Sequence, residues 1–515
     1  MSGTSRAPFS PAGASLPALV WALATLSLAL HLLPRPGYGF HRDELLYLAM
    51  GDHLDLFRMQ FPPVIAVLAE LARLLPLNLL VAIHLLSGLA AAAVVVLTAR
   101  IAGRLGGAAP AQALAALAVL STPFLLRAGS MLQPVIFEFL WWTAGALALV
   151  SLLAGADRRW WLALGAVAGL GASTKFTTAV FALAAALALL ASPLRRDLAG
   201  RWPWLGLGLA TLLASPALAG QAAWGWPFLT QLQVLRESQL ERVTPAAFLT
   251  GQLLIAFAAA PLLVLGAIAL WVAPLRMRFW PAGLYAAAAA VILLLTGGKE
   301  YYLAPIHPLL IAAGATALLA WTDYRPVVIG GIAAWLVVGG AIALPAGIPI
   351  LRPGPMAAYL ARIGITRAVT TNYGEVLPLP QDYADMLGWR EQVAAVAEVY
   401  HRLDPAERAR TSIVGGNYGR AGALAVYHAA FGLPYPVSRH GDFYHWGFGN
   451  PDATTVIIVG GTVEELSDLF GEVTLAAVVR NPQSVPEEQE VRVHLCRLPR
   501  KPLPQIWQEL GPVWG

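Results

Sequence analysis

Directly after its first apolar run the chain reads Gly39-Phe40-His41-Arg42-Asp43-Glu44-Leu45-Leu46-Tyr47. Two adjacent carboxylates thus stand beside a histidine and an arginine at the edge of a hydrophobic segment. A carboxylate in such a place can take the proton of an attacking hydroxyl, provided it lies within hydrogen-bond reach. The same residues also fit an ordinary helix start, since Asp favours the cap and Glu the first turn. Leu45, Leu48 and His53 recur at roughly helical spacing before Pro62-Pro63. That pattern predicts a helix lying along a membrane surface and holding Asp43 against the bundle.

Lysine is scarce: only Lys175, Lys299 and Lys501 occur. Lys175 and Lys299 fall in turns between apolar runs. An ammonium there suits a phosphate as a point charge, and charge near hydrocarbon is costly enough to suggest a purpose. Snorkelling to the interface is the alternative. Arg127, Gln133 and Glu138 lie in and just after another such loop, and Glu138 either belongs to a site or pairs with an arginine. Further on, Gly416-x-x-Gly419-x-x-Gly422 with Asp442 beyond it imitates a dinucleotide fingerprint. It lacks the tight first G-x-G, so the expectation is a structural turn or one that touches an acceptor. Phe443-Tyr444-His445-Trp446 either stacks on sugar or peptide, or packs on its own domain.

The elements that must position these residues are mostly membrane helices. Of 515 residues, 58% are hydrophobic and only 12% charged, against roughly 25% charged in soluble domains. A bilayer is the natural sink for that much apolar surface. The net charge of +5 is spread over short arginine-bearing loops, which argues for membrane topology and against nucleic acid. Cys496 is the single cysteine, so neither an intrachain disulfide nor a cysteine metal cluster is available. Apolar runs at 16–33, 79–97, 110–120, 135–153, 160–172, 176–191, 204–218, 247–272, 281–295, 303–319 and 327–344 give about eleven candidate spans. The first reads as a retained span, lacking a clear cleavage site after its short basic flank. Stretch 160–191 is either two helices or one long helix, and joining it would reverse every later span.

Loop arginines favour two helices there and a cytoplasmic N-terminus. Arg100, Arg104, Arg158, Arg159, Arg195, Arg196, Arg201, Arg276, Arg278 and Arg325 then share the inner side. The outer side receives 34–78, 121–134, the turn at Lys175, 220–245, 297–302 and everything after 344. From about Arg352 charge rises and apolar runs shorten, with strand-like 411–414 and 455–459 and helix-like 463–470. The expected architecture is a polytopic α-helical membrane module over 1–350, including the first outer loop 34–78. A soluble extracytoplasmic α/β domain follows over 351–515.

Phe40-His41-Arg42-Asp43-Glu44-Leu45 with Pro62-Pro63, then Gly298-Lys299-Glu300-Tyr301-Tyr302-Leu303-Ala304-Pro305 and Gly416-Asn417-Tyr418-Gly419, resembles bacterial members of the dolichyl-phosphate-mannose protein mannosyltransferase-like family. This is glycosyltransferase family 39 of the C-type glycosyltransferase superfamily. The resemblance implies a C-type fold and transfer of a sugar from a polyprenyl-phosphate donor to a protein, lipid or glycan acceptor. It places a general base at Asp43, with Glu44 in support. On this reading Lys175, Lys299 and Tyr302 hold the donor phosphate, and His41, Arg42, Gln133 and Glu138 line the acceptor cavity. Where aminoarabinose transferases carry an acidic-basic pair before the first-loop proline, this chain has Met59-Gln60-Phe61. No metal ligand is therefore assigned, and a divalent cation is left open. The competing class is a multi-pass transporter or lipid-carrier flippase, but such proteins place their charges near the midplane and often show repeated halves. The expected location is the cell (plasma or inner) membrane, among membrane lipids. A reporter fused after Leu344 is expected to register on the extracytoplasmic side, and a cytoplasmic signal would refute the assigned topology.

Overall fold

The computed structural model of the chain describes residues 16–364 and 374–513. The basic flank at Arg6 lies outside the described residues. Among the described residues, seven helices are long and apolar enough to cross a bilayer: Leu79–Arg104, Pro134–Leu153, Arg201–Ala223, Pro245–Ala269, Arg276–Leu295, Glu300–Trp321 and Pro326–Gly347. Thr178–Ala191 and Pro193–Ala199 form a further pair, bent by 95°. Ala18–His31, Ala109–Leu120 and Trp160–Ala172 are shorter apolar helices. Each expected apolar run is therefore helical, as a chain in hydrocarbon must be to satisfy its own backbone. Stretch 160–191 breaks into two helices at the polar run Ser173-Thr174-Lys175, which puts Lys175 in a turn.

The chain divides into two compact units. The first comprises Met1–Pro34, Val81–Ala219 and Gln239–Ile348. Its helices approach closely where glycine removes the side chain. A Cβ built on Gly266 would lie 1.7 Å from the Leu310 carbonyl oxygen, and one on Gly314 would lie 2.0 Å from that of Leu262. Helices Ala260–Ala269 and His307–Trp321 thus meet backbone to backbone, the packing that small residues permit in apolar surroundings.

The second unit comprises Arg35–Leu80, Gly220–Ser238 and Pro349–Gly515. The first-loop segment therefore groups with the C-terminal residues. Strands β1 (Thr411–Gly415), β2 (Thr455–Val459), β3 (Phe470–Arg480) and β4 (Glu490–Pro499) form one sheet in the order β1-β2-β4-β3. The β1/β2 pair is parallel, while β2/β4 and β3/β4 are antiparallel. The helix expected over 463–470 is shorter, Val463–Ser467, because Phe470 already opens β3. Helix Tyr418–Tyr427 follows β1 and packs on helix Arg42–Asp52. A Cβ on Gly419 would lie 2.6 Å from Arg42 Cγ, and one on Gly422 would lie 2.7 Å from the Leu45 carbonyl carbon. These two glycines of the imitated fingerprint therefore serve helix-to-helix contact.

Asp442 ties the first loop to the same unit. Its Oδ1 accepts from the Gln60 N–H at 2.8 Å, and Gln221 Nε2 donates to the Gln60 carbonyl at 2.5 Å. Nearby, His445 stacks on Trp224 with centroids 3.6 Å apart, and Trp446 stacks on His53 at 4.2 Å. The aromatic cluster thus packs on the first-loop and 220–238 segments of the second unit, not only on residues of 351–515. Burial pushes the Asp442 carboxyl up to about 7, against the downward pull of the Gln60 and Phe61 N–H groups.

Two outcomes follow from this packing. Gly314→Val is expected to destabilise the first unit by about 2 kcal/mol or more through overpacking, read as a lower midpoint of thermal unfolding in detergent. For Asp442, a folded-state pKa above the unfolded value means the native state holds the extra proton. Stability from this group is then fully present below about pH 4 and is lost as pH rises to about 7. Asp442→Asn is expected to unfold at a higher temperature than the parent chain at pH 8 and to lose that advantage at pH 4. An equal pH slope in both proteins would contradict the assignment.

Candidate active site

His41 caps helix Arg42–Asp52 in the second unit. Its Nδ1 accepts from the Asp43 N–H at 3.1 Å, while its own N–H donates to Glu44 Oε2 at 2.8 Å. This reciprocal capping box satisfies otherwise orphaned donors. The cap is therefore made by the His41 and Glu44 side chains, and not by the Asp43 carboxylate that the alternative reading put there. Glu44 is wholly buried, whereas the Asp43 side chain is 30% exposed. Asp43 Oδ1 accepts from the Tyr418 hydroxyl at 3.1 Å. Burial and the adjacent Asp43 charge hold the Tyr418 phenol well above its usual range, so it remains a donor.

Arg42 fixes the other side of this helix start. Its Nη2 donates to Asp385 Oδ1 at 2.5 Å and to Glu487 Oε1 at 2.8 Å. Asp385 is buried, and burial raises its carboxyl to about 6 although Arg42 and His41 pull it down. His41 Nε2 lies 3.8 Å from Asp382 Oδ1 and 3.9 Å from Asp385 Oδ2. Asp382 and Asp385 escaped the reading of the sequence. They stand three positions apart after Pro380, but nothing local links them to Arg42, which is 343 positions from Asp385.

The first unit assembles its own polar cluster. Glu138, buried on helix Pro134–Leu153, pairs through Oε2 with Lys175 Nζ at 2.9 Å. Its Oε1 accepts from the Thr177 hydroxyl. Glu138 thus pairs with a lysine, not with an arginine, and Lys175 is engaged rather than merely snorkelling. Lys175 Nζ also sits 4.6 Å from the Tyr302 ring centroid and 5.4 Å from that of Tyr301. An ammonium framed by a carboxylate and aromatic faces can hold an oxyanion with its remaining donors. Lys299 Nζ donates to Gln239 Oε1 at 2.5 Å, and Arg127 Nη1 to the Ala346 carbonyl at 3.3 Å. Gln133 is the residue before the helix that carries Glu138, and its side chain makes no cap hydrogen bond.

The structure therefore gathers His41, Arg42, Asp43 and Glu44 in one unit, and Glu138, Lys175 and Tyr302 in the other. Among the described residues, no group of three or more His, Cys, Asp or Glu side chains is placed to hold a metal ion.

Residues 60–219 match the profile of the dolichyl-phosphate-mannose-protein mannosyltransferase family. No curated protein sequence matches the chain. Among solved structures, ArnT from Cupriavidus metallidurans bound to undecaprenyl phosphate is similar, with a TM-score of 0.57 and 16% identity over 93% of this chain and 97% of that one. Its apo state aligns over the same shares with a TM-score of 0.54 and 16% identity. The apo oligosaccharyltransferase of Archaeoglobus fulgidus gives 0.50 and 11% identity over 85% of this chain and 69% of that one. This integral membrane chain thus has the fold of the C-type glycosyltransferases and carries, at residues 60–219, a match to the dolichyl-phosphate-mannose-protein mannosyltransferase family.

Proposed function

We propose that the protein transfers a sugar from a polyprenyl-phosphate donor to an acceptor hydroxyl of a protein, lipid or glycan on the extracytoplasmic face of the cell membrane. Asp43 is the general base. The acceptor oxygen forms a bond to the anomeric carbon, the bond from that carbon to the phosphate oxygen breaks, and the hydroxyl proton passes to Asp43. Polyprenyl phosphate leaves with the electron pair. Phosphate is a good leaving group, so a single base suffices where a glycosidase needs two carboxyls.

The observation that carries this reading is the state of the Asp43 carboxylate. It follows the first apolar helix, one oxygen is held by Tyr418, and the side chain is still 30% exposed to an incoming hydroxyl. Glu44, being buried in the capping box, acts by orienting Asp43. Lys175 and Tyr302, together with Lys299, are assigned to the donor phosphate, and His41, Arg42, Gln133 and Glu138 to the surroundings of the acceptor and its cavity. The undecaprenyl phosphate bound to the similar ArnT supports a lipid-phosphate donor.

The test uses the purified full chain in detergent with radiolabelled polyprenyl-phosphate sugars and membrane acceptors. Asp43→Asn is expected to lower transfer by about 100-fold or more, the usual worth of a general base. Lys175→Ala is expected to raise the KM for donor more than it lowers kcat. Equal transfer by Asp43→Asn and the parent chain would overturn the base assignment, and an unchanged donor KM in Lys175→Ala would overturn the phosphate assignment.

A further inference from the structure

A polar cavity of about 340 Å³ lies beside the C-terminal sheet, lined by Arg420, Gly460, Gly461, Glu490, Val491 and Arg492. It sits where the parallel strands β1 and β2 end. Chain leaves β1 through Gly415-Gly416 and β2 through Gly460-Gly461. The carboxyl ends of neighbouring parallel strands are where open α/β sheets place their ligands. Neither Asp43 nor the Lys175 cluster belongs to this cavity.

The floor is built so that no side chain fills it. Gly460 and Gly461 have φ values of +112° and +74°, which favour glycine. A Cβ on Gly460 would lie 2.3 Å from Arg420 Nη1, and one on Gly416 would lie 2.5 Å from the Val459 carbonyl oxygen. Any larger residue at 460 would push the guanidinium out of its place.

That guanidinium is held rigidly from behind. Arg420 Nε donates to the buried Glu488 Oε2 at 3.0 Å, and Nη2 to the Glu487 carbonyl at 2.7 Å. Glu488 is fixed in turn by Asn417 Nδ2 at 2.7 Å and Gln392 Nε2 at 3.0 Å. Nη1, which lies against Gly460, has no partner among the described residues. Arg492 stands on the rim with its side chain 49% exposed, and among the described residues its only carboxylate contact is Glu490, which it shares with Arg480. Two arginines thus converge on a glycine floor with one guanidinium edge unused. Such an edge recognises the planar or tetrahedral oxygens of carboxylate and phosphate.

We infer that this cavity is a second ligand site, which binds one phosphorylated monosaccharide unit through its phosphate. The volume falls at the small end of small-molecule pockets, which suits a single sugar ring with its charged group. The unit is either a free sugar phosphate or a residue of a phosphorylated glycan. The inference does not rest on the transferase assignment, because it concerns binding alone.

Isothermal titration of the full chain in detergent tests it with three probes: glucose 1-phosphate, methyl glucoside 6-phosphate and uncharged methyl glucoside. Saturable binding of either phosphate, without binding of the uncharged sugar, is expected. Arg492→Gln, at a half-exposed position where folding is not at stake, is expected to weaken it roughly tenfold through loss of one charged partner. Gly460→Ala is expected to weaken it as well, by displacing Arg420. A preference for glucose 1-phosphate identifies the free metabolite as the natural source, and a preference for the blocked glycoside identifies a glycan. Absence of saturable binding by both phosphates, equal binding of the uncharged sugar, or undiminished binding in Arg492→Gln would each overturn the inference.

Discussion

The start of helix Arg42–Asp52 is set by a reciprocal cap, and the chemistry proposed for the protein depends on it. The His41 ring accepts from the Asp43 N–H and the Glu44 carboxylate accepts from the His41 N–H, so the first turn is fixed without recourse to the Asp43 side chain. A buried glutamate is normally expensive, and the backbone N–H it accepts, together with the positive charge of the nearby Arg35, offsets that cost. Arg42 adds a second anchor through Asp385 and Glu487. Between these fixed neighbours Asp43 keeps one oxygen on Tyr418 and part of its surface open. Preorganisation of this kind lets a carboxylate act as a base without rearranging at the moment of reaction.

The same economy governs the first unit. Most of its surface is apolar, so the carboxylate of Glu138 persists there only with a cation and a hydroxyl beside it. Lys175 is neutralised by that partner yet retains donors, and the rings of Tyr301 and Tyr302 lie beside it. Helix spacing is set by glycine rather than by a hydrophobic drive, which is weak between helices already in an apolar solvent. The contacts at Gly266 and Gly314 therefore set how closely helices Ala260–Ala269 and His307–Trp321 approach.

In the second unit, buried acids recur: Asp385, Asp442 and Glu488 each lie below 4% exposure. Each is met by donors from a distant part of the chain, Arg42 for the first, the Gln60 backbone for the second, and Arg420 with Asn417 for the third. Glycines at 419 and 422 let two helices approach, and those at 460 and 461 leave a cavity. One residue type thus serves close packing in one place and an open floor in another, decided by what lies opposite.

The sequence alone determined the membrane class, the positions of the apolar runs and the strands 411–414 and 455–459, whereas the break of 160–191 at Lys175 was open until the structure showed two helices. These are local properties: an apolar run of sufficient length must be helical in hydrocarbon, and alternation with β-branched residues favours strand. It also marked Asp43, Lys175 and Glu138 as residues that need a reason. What it could not supply was pairing. Tyr418 as the partner of Asp43, Asp385 as the partner of Arg42 and Asp442 as the anchor of Gln60 are separated by hundreds of positions, and no local pattern announces such contacts. Gly416-x-x-Gly419-x-x-Gly422 had one spelling and several possible meanings, and only the opposing helix and strand chose among them. Tertiary structure decided these matters because the energy of a buried charge depends on its partner, and the partner is fixed by the fold.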